Sequence, residues 1–176
     1  SNSLEAGEGV FSEQRETKRV LYVAITSNRG LCGGFNNNIM KAIRLEMSNT
    51  DATCHVLPLG KKANDAYKKE PELSPVGFDE DAWQIFDDLN FDRAQVVAEH
   101  IMEQFVLGQY DEVKIVYNRF VNAAVQVATV ENFLPLEPAS ADSESPAAND
   151  TDYIFEPSQA EIVERIIPNS LKVQLY

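Results

Sequence analysis

The sequence predicts an α/β fold: a three-layer, Rossmann-like domain in which a mainly parallel sheet is flanked by helices. Residues 20–25 (VLYVAI) and 53–59 (TCHVLPL) are apolar runs of strand length, as found in strands that are covered on both faces. Segments with helical spacing alternate with such runs along the chain. This alternation is typical of a parallel sheet with short connections and right-handed crossovers.

The first strand ends in a glycine-rich turn that leads into the first helix. Gly30, Gly33 and Gly34 permit positive φ and close backbone approach in this turn. One of three consecutive asparagines is expected to cap the helix, and the helix is expected to bury an apolar face. The candidate caps are Asn36, Asn37 and Asn38, and the face consists of Ile39, Met40 and Ile43.

A later helix has a clear start and end. Asp92 is the expected N-cap and Gly108 the expected end. Between them the residues at helical spacing are Ala94, Val97, Ala98, Ile101, Met102 and Phe105. Residues 113–117 predict the next strand, and a further one is indicated by Val125, Val127 and Val130. Residues 68–89 show no pattern that places them.

The C-terminal part predicts a polar loop and one more helix. Residues 137–152 are acidic and lack large apolar side chains, so we expect a flexible acidic loop there. Ser158 and Glu161 have the spacing of a capping box. Residues 159–167 are therefore expected to form a helix that ends at Pro168.

Composition limits the classes of protein to which the chain can belong. Its 176 residues, 44% of them hydrophobic, predict one domain with a sizeable core. The net charge of −13 opposes binding to nucleic acid through phosphates. No stretch approaches the roughly 18 apolar residues of a spanning helix, and no signal-peptide pattern is present. We expect no nucleic acid partner and no direct membrane insertion.

The cysteines and histidines predict neither a metal site nor a catalytic residue. Cys32 and Cys54 lack C-x-x-C spacing, and His55 and His100 fall in separate elements. Cys54 and His55 are neighbours in a strand, so their side chains point to opposite faces. We expect Cys54 in the core and His55 partly exposed. Cys32 follows Arg29 near a helix start, which leaves both a reactive thiol and an inert turn cysteine open.

The glycine-rich turn also raises the question of an anion site, because free N–H groups at a helix start attract phosphate. The turn is not G-x-G-x-x-G and does not end in G-K-[ST]. No acidic residue follows the second strand, where Gly60, Lys61 and Lys62 stand. These features disfavour a nucleotide site. The alternative that stays open is a free-standing α/β ligand-binding domain that uses residues 30–34 for an anionic ligand.

Three segments of the chain carry a resemblance to a known family. Residues 25–39 read ITSNRGLCGGFNNNI, residues 110–134 contain NRFVNA, and residues 153–176 begin with YIFEPS. They resemble, in order, the T-S-D-R-G-L-C-G-G-x-N signature, a later strand pair with its N-x-F-V-N-A turn, and the approach to the long C-terminal helix of the gamma subunit of F-type ATP synthases. The likeness spans residues 18–176. It departs at Asn28, where the usual pattern has Asp.

The resemblance implies a central-stalk, or rotor, subunit that transmits torque between the ion-driven ring in the membrane and the catalytic beta subunits in proton-driven ATP synthesis. It implies a non-catalytic subunit without a cofactor, because the nucleotide chemistry belongs to other subunits. The implied partners are the alpha and beta subunits of the catalytic hexamer, the epsilon subunit and the membrane rotor ring. The implied location is peripheral, on the cytoplasmic face of the bacterial inner membrane.

The family's terminal helices form a long coiled coil, and this sequence shows no sustained heptad repeat. We therefore expect residues 18–176 to be the globular middle domain of a gamma subunit. Residues 1–17 are expected to be the remnant of a tag and of the end of a missing helix.

The resemblance also implies two surfaces that contact other subunits. The family's glycine-rich loop faces the beta subunits, where Arg29 is expected to pair with carboxylates. The expected contact residues are Ser27, Asn28, Arg29, Gly30, Leu31, Cys32, Gly33, Gly34 and Asn36. A dense basic cluster is the expected docking site for epsilon or the ring, with a solvated helix face as the alternative. It consists of Lys61, Lys62, Lys68 and Lys69.

Overall fold

A computed structural model describes residues 11, 13–26, 33–86, 91–122 and 124–136. In these ranges the strands are β1 (Arg19–Ile25), β2 (Thr53–Leu59), β3 (Glu112–Asn122) and β4 (Val125–Leu134). The helices are α1 (Gly33–Ser48), α2 (Lys61–Tyr67) and α3 (Phe91–Val106), with short 3₁₀ helices at Pro71–Leu73 and Ala82–Phe86. The predicted acidic loop at 137–152 and helix at 159–167 lie outside the described residues.

The described strands form one sheet in the order β2-β1-β3-β4. β1 is parallel to both of its neighbours, pairing Val20 with Cys54 in β2 and with Glu112 in β3. β4 runs antiparallel to β3 at the edge of this sheet. Three parallel strands and one antiparallel strand, with helices on both faces, confirm the predicted mainly parallel sheet and its three layers.

Each face of β1 belongs to a separate apolar core. The face covered by α3 carries Leu21, Val23 and Ile25. The face covered by α1 and α2 carries Val20, Tyr22 and Ala24. Because successive side chains of a strand point to opposite faces, a strand between two helical layers needs an uninterrupted apolar run. The strand predicted at residues 20–25 is confirmed for this reason.

Both long helices begin earlier than predicted. α1 starts at Gly33, so none of the three asparagines precedes it and the predicted cap is wrong. Asn36 is instead buried in the first turn, with 3% of its surface exposed. α3 starts at Phe91, so Asp92 lies inside the helix and is not its cap. A cap contributes only about 1 kcal/mol, and packing of the apolar face contributes most of the stability of a helix in a protein.

The end of α3 is as predicted. Gly108 has a φ of +80°. Its N–H donates to the carbonyl of Phe105 at 3.1 Å, and the N–H of Gln109 donates to the carbonyl of Gln104 at 2.9 Å. This pair of bonds is the Schellman arrangement, which requires a residue with positive φ just past the helix.

The hairpin of β3 and β4 is longer than predicted. The two strands stay paired from Val113 with Leu134 to Asn122 with Val125. Most of the segment read as an N-x-F-V-N-A turn, residues 118–122, is therefore strand. β1 pairs with β3 only as far as Val116, so the outer half of the hairpin extends past β1.

The 3₁₀ helices Pro71–Leu73 and Ala82–Phe86 belong to the range that the sequence did not place, and both pack along β2. The N–H of Gly60 donates to the carbonyl of Trp83 at 2.8 Å, and Ile85 is buried in the core beneath α3. This segment covers β2, one of the two outer strands of the described sheet. Covering an edge strand prevents its free backbone groups from pairing with another chain. Among the described helices, none combines the length and the apolar character required to cross a membrane.

Candidate functional site

The predicted contact loop starts at the carboxyl end of β1. Ser27, Asn28, Arg29, Gly30, Leu31 and Cys32 lie outside the described residues. Gly33 and Gly34 open α1, and Asn36 is buried in the first turn. The structure therefore describes the two supports of the loop, which are Thr26 on the side of β1 and the first turn of α1.

Thr26 is 1% exposed and is held by two hydrogen bonds. Its N–H donates to the carbonyl of Leu59 at 2.9 Å, which continues the pairing of β1 with β2 by one residue. Its Oγ1 accepts the N–H of Ala63 at 3.0 Å. Ala63 is the third residue of α2, whose N-cap residue Gly60 has no side chain to offer. Thr26 therefore supplies the capping oxygen that a serine or threonine at the N-cap normally provides.

Gly60 makes this arrangement possible. Its φ is +110°, a value that side-chain-bearing residues rarely adopt. A Cβ atom at this position would lie 2.2 Å from the carbonyl oxygen of Thr26 and 2.7 Å from its Oγ1. Atoms of Thr26 thus occupy the space that a side chain at position 60 would need, so this glycine serves packing within the domain.

The first turn of α1 is tied to the hairpin. Asn118 of β3 donates a hydrogen bond from Nδ2 to the carbonyl of Phe35 at 2.8 Å. Asn118 lies in the part of β3 that extends past β1. This bond fixes the start of α1, and with it the position at which the contact loop ends.

His55 and Tyr110 form a polar pair that links β2 to the residues just before β3 and to the segment after α2. The hydroxyl of Tyr110 lies 2.7 Å from His55 Nδ1 and accepts the N–H of Val76 at 2.9 Å. Its own hydrogen is therefore available for an unprotonated Nδ1. Burial, and to a lesser degree the charge of Arg19, lowers the pKa of His55 and so favours the neutral ring. The predicted partial exposure of His55 is confirmed.

Cys54 points to the opposite face of β2, as predicted, and packs half-buried against the core beneath α1 and α2. Burial raises the pKa of its thiol, and a protonated thiol is a poor nucleophile. Within the described ranges, no group of three or more His, Cys, Asp or Glu side chains is placed to hold a metal ion.

The four lysines of the predicted docking site do not form one compact cluster. Lys61 and Lys62 open α2, whereas Lys68 and Lys69 follow its last residue, about 10 Å further along the axis. Lys62 is half-buried and the other three are exposed. Lys68 Nζ lies 3.3 Å from Asp65 Oδ1, so part of its charge is already balanced.

A groove of about 470 Å³ lies between β2, α2 and the segment that follows α2. Tyr67, Phe78 and Trp83 contribute aromatic side chains to its lining. The charged groups of the lining are Lys68, Asp79 and Glu80. Two carboxylates against one ammonium do not favour an anionic ligand.

Sequence reasoning missed an exposed apolar surface on the outer half of the hairpin. Phe120, Val121, Val125 and Val127 are each 40% to 48% exposed. Val121 is an extra residue in β3, because Phe120 pairs with Gln126 and Asn122 pairs with Val125. Phe120, Val121, Val125 and Val127 were the available signal, but apolar residues at alternating positions, such as 125 and 127, are typical of a strand with one buried face.

The fold and these contacts define an α/β domain of the described residues, in which polar pairs such as Thr26 with Ala63 join one element to another. Comparison with known proteins gives the family. A family model described as ATP synthase matches residues 2–176. The chain is 44% identical over 169 residues to the ATP synthase gamma chain of Flavobacterium psychrophilum, covering 96% of this chain and 56% of the relative. It is 41% identical over 181 residues to that of Cytophaga hutchinsonii, covering 99% and 60%.

The chain belongs to the ATP synthase gamma-chain family. It spans 56% to 60% of the length of these two relatives. It is also similar in fold to a chain in the central stalk and c-ring structure of the Tetrahymena thermophila mitochondrial ATP synthase. That similarity has a TM-score of 0.51 at 21% identity and covers 99% of this chain and 86% of the other.

Proposed function

We propose that this chain is the globular part of the central-stalk, or rotor, subunit of an F-type ATP synthase. In this role it transmits torque between the ion-driven membrane ring and the catalytic beta subunits and carries out no chemistry itself. The observation that carries the proposal is the match of the family model to residues 2–176, together with gamma-chain relatives at 41% and 44% identity.

The described geometry suits a part that must turn without deforming. Six of the seven residues of β1 are buried, and the strand is clamped between parallel neighbours and two helical layers. Close-packed interiors have low compressibility and transmit strain. A domain built on such a strand is suited to pass on an applied torque.

The glycine-rich loop is the proposed contact with the beta subunits. Thr26 and the first turn of α1 are both fixed by hydrogen bonds within the domain. The residues on either side of 27–32 are thus held in fixed positions. In this loop Arg29 is proposed to pair with carboxylates of a beta subunit, and Asn28 to contribute a neutral polar contact.

The role of Arg29 is tested by Arg29→Ala in the complete subunit, assembled into the synthase. Loss of a charge-assisted pair is expected to reduce coupling between ATP hydrolysis and ion transport, measured in vesicles. Arg44→Ala, which removes a charge exposed on α1, is the matched control. Unchanged coupling and ATPase rate in Arg29→Ala would remove this residue from the contact.

The lysines around α2 are proposed to dock the epsilon subunit or the ring. Because they fall into two groups, the test uses two double variants, Lys61→Gln with Lys62→Gln and Lys68→Gln with Lys69→Gln. The group at the interface is expected to lose affinity for epsilon, and more so at low salt. Affinity equal to that of the parent chain in both double variants would assign the lysines to a solvated helix face.

The remaining parts of the proposal concern place and partners. The relatives named above are bacterial gamma chains. We place the subunit on the cytoplasmic face of the inner membrane, as a peripheral part of the complex. Its proposed partners are the alpha and beta subunits of the hexamer, the epsilon subunit and the rotor ring, without nucleic acid and without insertion into the membrane.

The deciding experiment is calorimetry of the purified chain with the epsilon subunit of the same organism, with an ATP titration in parallel. Epsilon binding without heat from ATP is the expected result. ATP binding without epsilon binding would favour the alternative, a free-standing ligand-binding domain. The turn of residues 30–34 matches neither G-x-G-x-x-G nor G-K-[ST], which is the observation that disfavours that alternative.

A further inference from the structure

Arg15 lies in the segment before β1 and is held where α3 leads into β3, which we call the α3–β3 corner. Because β1 and β3 are parallel, this corner is at the end of the sheet opposite the carboxyl end of β1. Its Nη2 donates to the carbonyl of Phe105 at 2.9 Å and its Nη1 donates to the carbonyl of Tyr110 at 3.2 Å. Its Nε donates to Glu13 at 2.8 Å. The side chain is only 17% exposed, although the residue precedes the first strand.

The guanidinium suits this position in three ways. Its planar fork reaches two carbonyls that lie five residues apart in sequence, which a single ammonium group cannot do in the same geometry. The carbonyl of Phe105 belongs to the last turn of α3, where the helix dipole favours a positive charge. The guanidinium carbon also lies 4.2 Å from the centre of the Phe105 ring, within reach of a cation–π interaction.

Neighbouring residues tie the same segment to the domain on both sides of Arg15. Asp111 accepts the N–H groups of Lys18 and Arg19 at 2.9 and 3.0 Å, and its other oxygen lies 3.7 Å from Arg15 Nη1. Phe11 stacks on the Phe105 ring with centroids 6.5 Å apart. The segment from residue 13 to residue 19 therefore follows the α3–β3 corner closely.

The carbonyl of Phe11 accepts the N–H of Leu136 at 2.7 Å. Leu136 lies just beyond β4, so the chain before β1 and the chain after β4 meet at this point. Arg15 is thus the polar centre of a junction that holds both segments against the domain.

We propose that Arg15 is a positioning residue that locks the segment of residues 13–19 onto the α3–β3 corner, so that rotation passes between this segment and the α/β domain without slip. This inference rests on the proposed central-stalk function. In it the fork of Arg15 fixes the angle at which the segment approaches β1, and Asp111 holds the following residues in register.

The local part of the inference is tested by hydrogen exchange in this chain. In Arg15→Ala the amides of Lys18, Arg19 and Leu136 are expected to exchange about tenfold faster or more, the factor for losing one hydrogen bond to a charged group. The amide of Val23 in the centre of β1 is expected to keep its rate, as are all four amides in the control Lys41→Ala, which removes an exposed charge from α1.

Arg15→Lys separates the fork from the charge and carries the test if Arg15→Ala fails to fold. The proposal expects faster exchange of the same three amides in Arg15→Lys, because one ammonium cannot replace both bonds. Parent-like exchange in Arg15→Lys would overturn the role of the fork. Parent-like exchange in Arg15→Ala would overturn the lock altogether.

The mechanical part is tested with the complete gamma subunit in the assembled synthase, by the ratio of ATP-driven ion pumping to ATP hydrolysis in vesicles. Arg15→Ala and Arg15→Lys are expected to lower this ratio while hydrolysis continues, whereas the control Lys41→Ala is expected to keep it. Pumping by the parent complex together with an unchanged ratio in both variants would overturn this inference alone. A parent subunit that assembles with the hexamer but supports no pumping would overturn the proposed function.

Discussion

Gly60→Ala tests the close approach of Gly60 to Thr26, which joins β1 to α2. The backbone at Gly60 has a φ of +110°, and holding a residue with a side chain in such a region costs about 1–3 kcal/mol. The new Cβ would also lie 2.2 Å from the carbonyl oxygen of Thr26, so Thr26 must move. That movement breaks its hydrogen bonds to Leu59 and Ala63, each contributing about 1 kcal/mol. The expected destabilisation is about 4 kcal/mol in total.

Thermal unfolding followed by circular dichroism measures this effect. At about 2–4 °C per kcal/mol for a domain of this size, Gly60→Ala should lower Tm by about 8–16 °C. Gly108→Ala is the matched control, because Gly108 also has a positive φ but no atom lies within 4 Å of the added Cβ. Its cost is about 1 kcal/mol, or about 3 °C. Equal shifts in the two variants would refute the assignment of the difference to the contact with Thr26.

Three further predictions concern polar contacts of the described domain. Thr26→Val keeps the shape but removes the oxygen that caps α2 at Ala63, and should lower the free energy of unfolding in urea by about 1–2 kcal/mol, whereas Thr26→Ser should keep most of it. Tyr110→Phe removes the hydroxyl that bonds His55 and Val76, and should cost about 1–3 kcal/mol in the same assay. Burial lowers the pKa of His55 in the folded chain, so below about pH 6.5 the unfolded chain binds a proton more readily than the folded chain does. The free energy of unfolding therefore decreases as the pH is lowered. In His55→Asn the free energy of unfolding should therefore decline less steeply between about pH 7 and pH 5, and a slope equal to that of the parent chain would contradict this reasoning.

The strands β1 and β2 could be predicted because each is a short, mainly apolar run of strand length. Residues 20–25 are apolar except for the hydroxyl of Tyr22, and a run of this length and composition is typical of a strand covered on both faces. The end of α3 was equally predictable, since positive φ past a helix selects glycine and Gly108 is the residue at that point. These features depend on residues close together in sequence.

The features that were missed depend on residues far apart in sequence. Thr26 bonds Ala63 across 37 positions, and His55 bonds Tyr110 across 55. Neither pair has a spacing that marks it. The cap assigned to one of Asn36, Asn37 and Asn38 was wrong for a related reason. An asparagine near a helix start is a good cap by residue type, but this helix already begins at Gly33, where its first turn is held by the bond from Asn118 to Phe35.

The β2–α2 turn shows that a glycine in a strand-to-helix turn can serve packing within the fold. In dinucleotide-binding domains, glycines in a strand-to-helix turn let a phosphate approach the N–H groups at the start of the helix. In this chain the glycine of the β2–α2 turn is Gly60, and the space above it is filled by Thr26. Thr26 Oγ1 also accepts the N–H of Ala63 in the first turn of α2. In this chain the conformational freedom of Gly60 instead lets β1 and α2 approach each other closely.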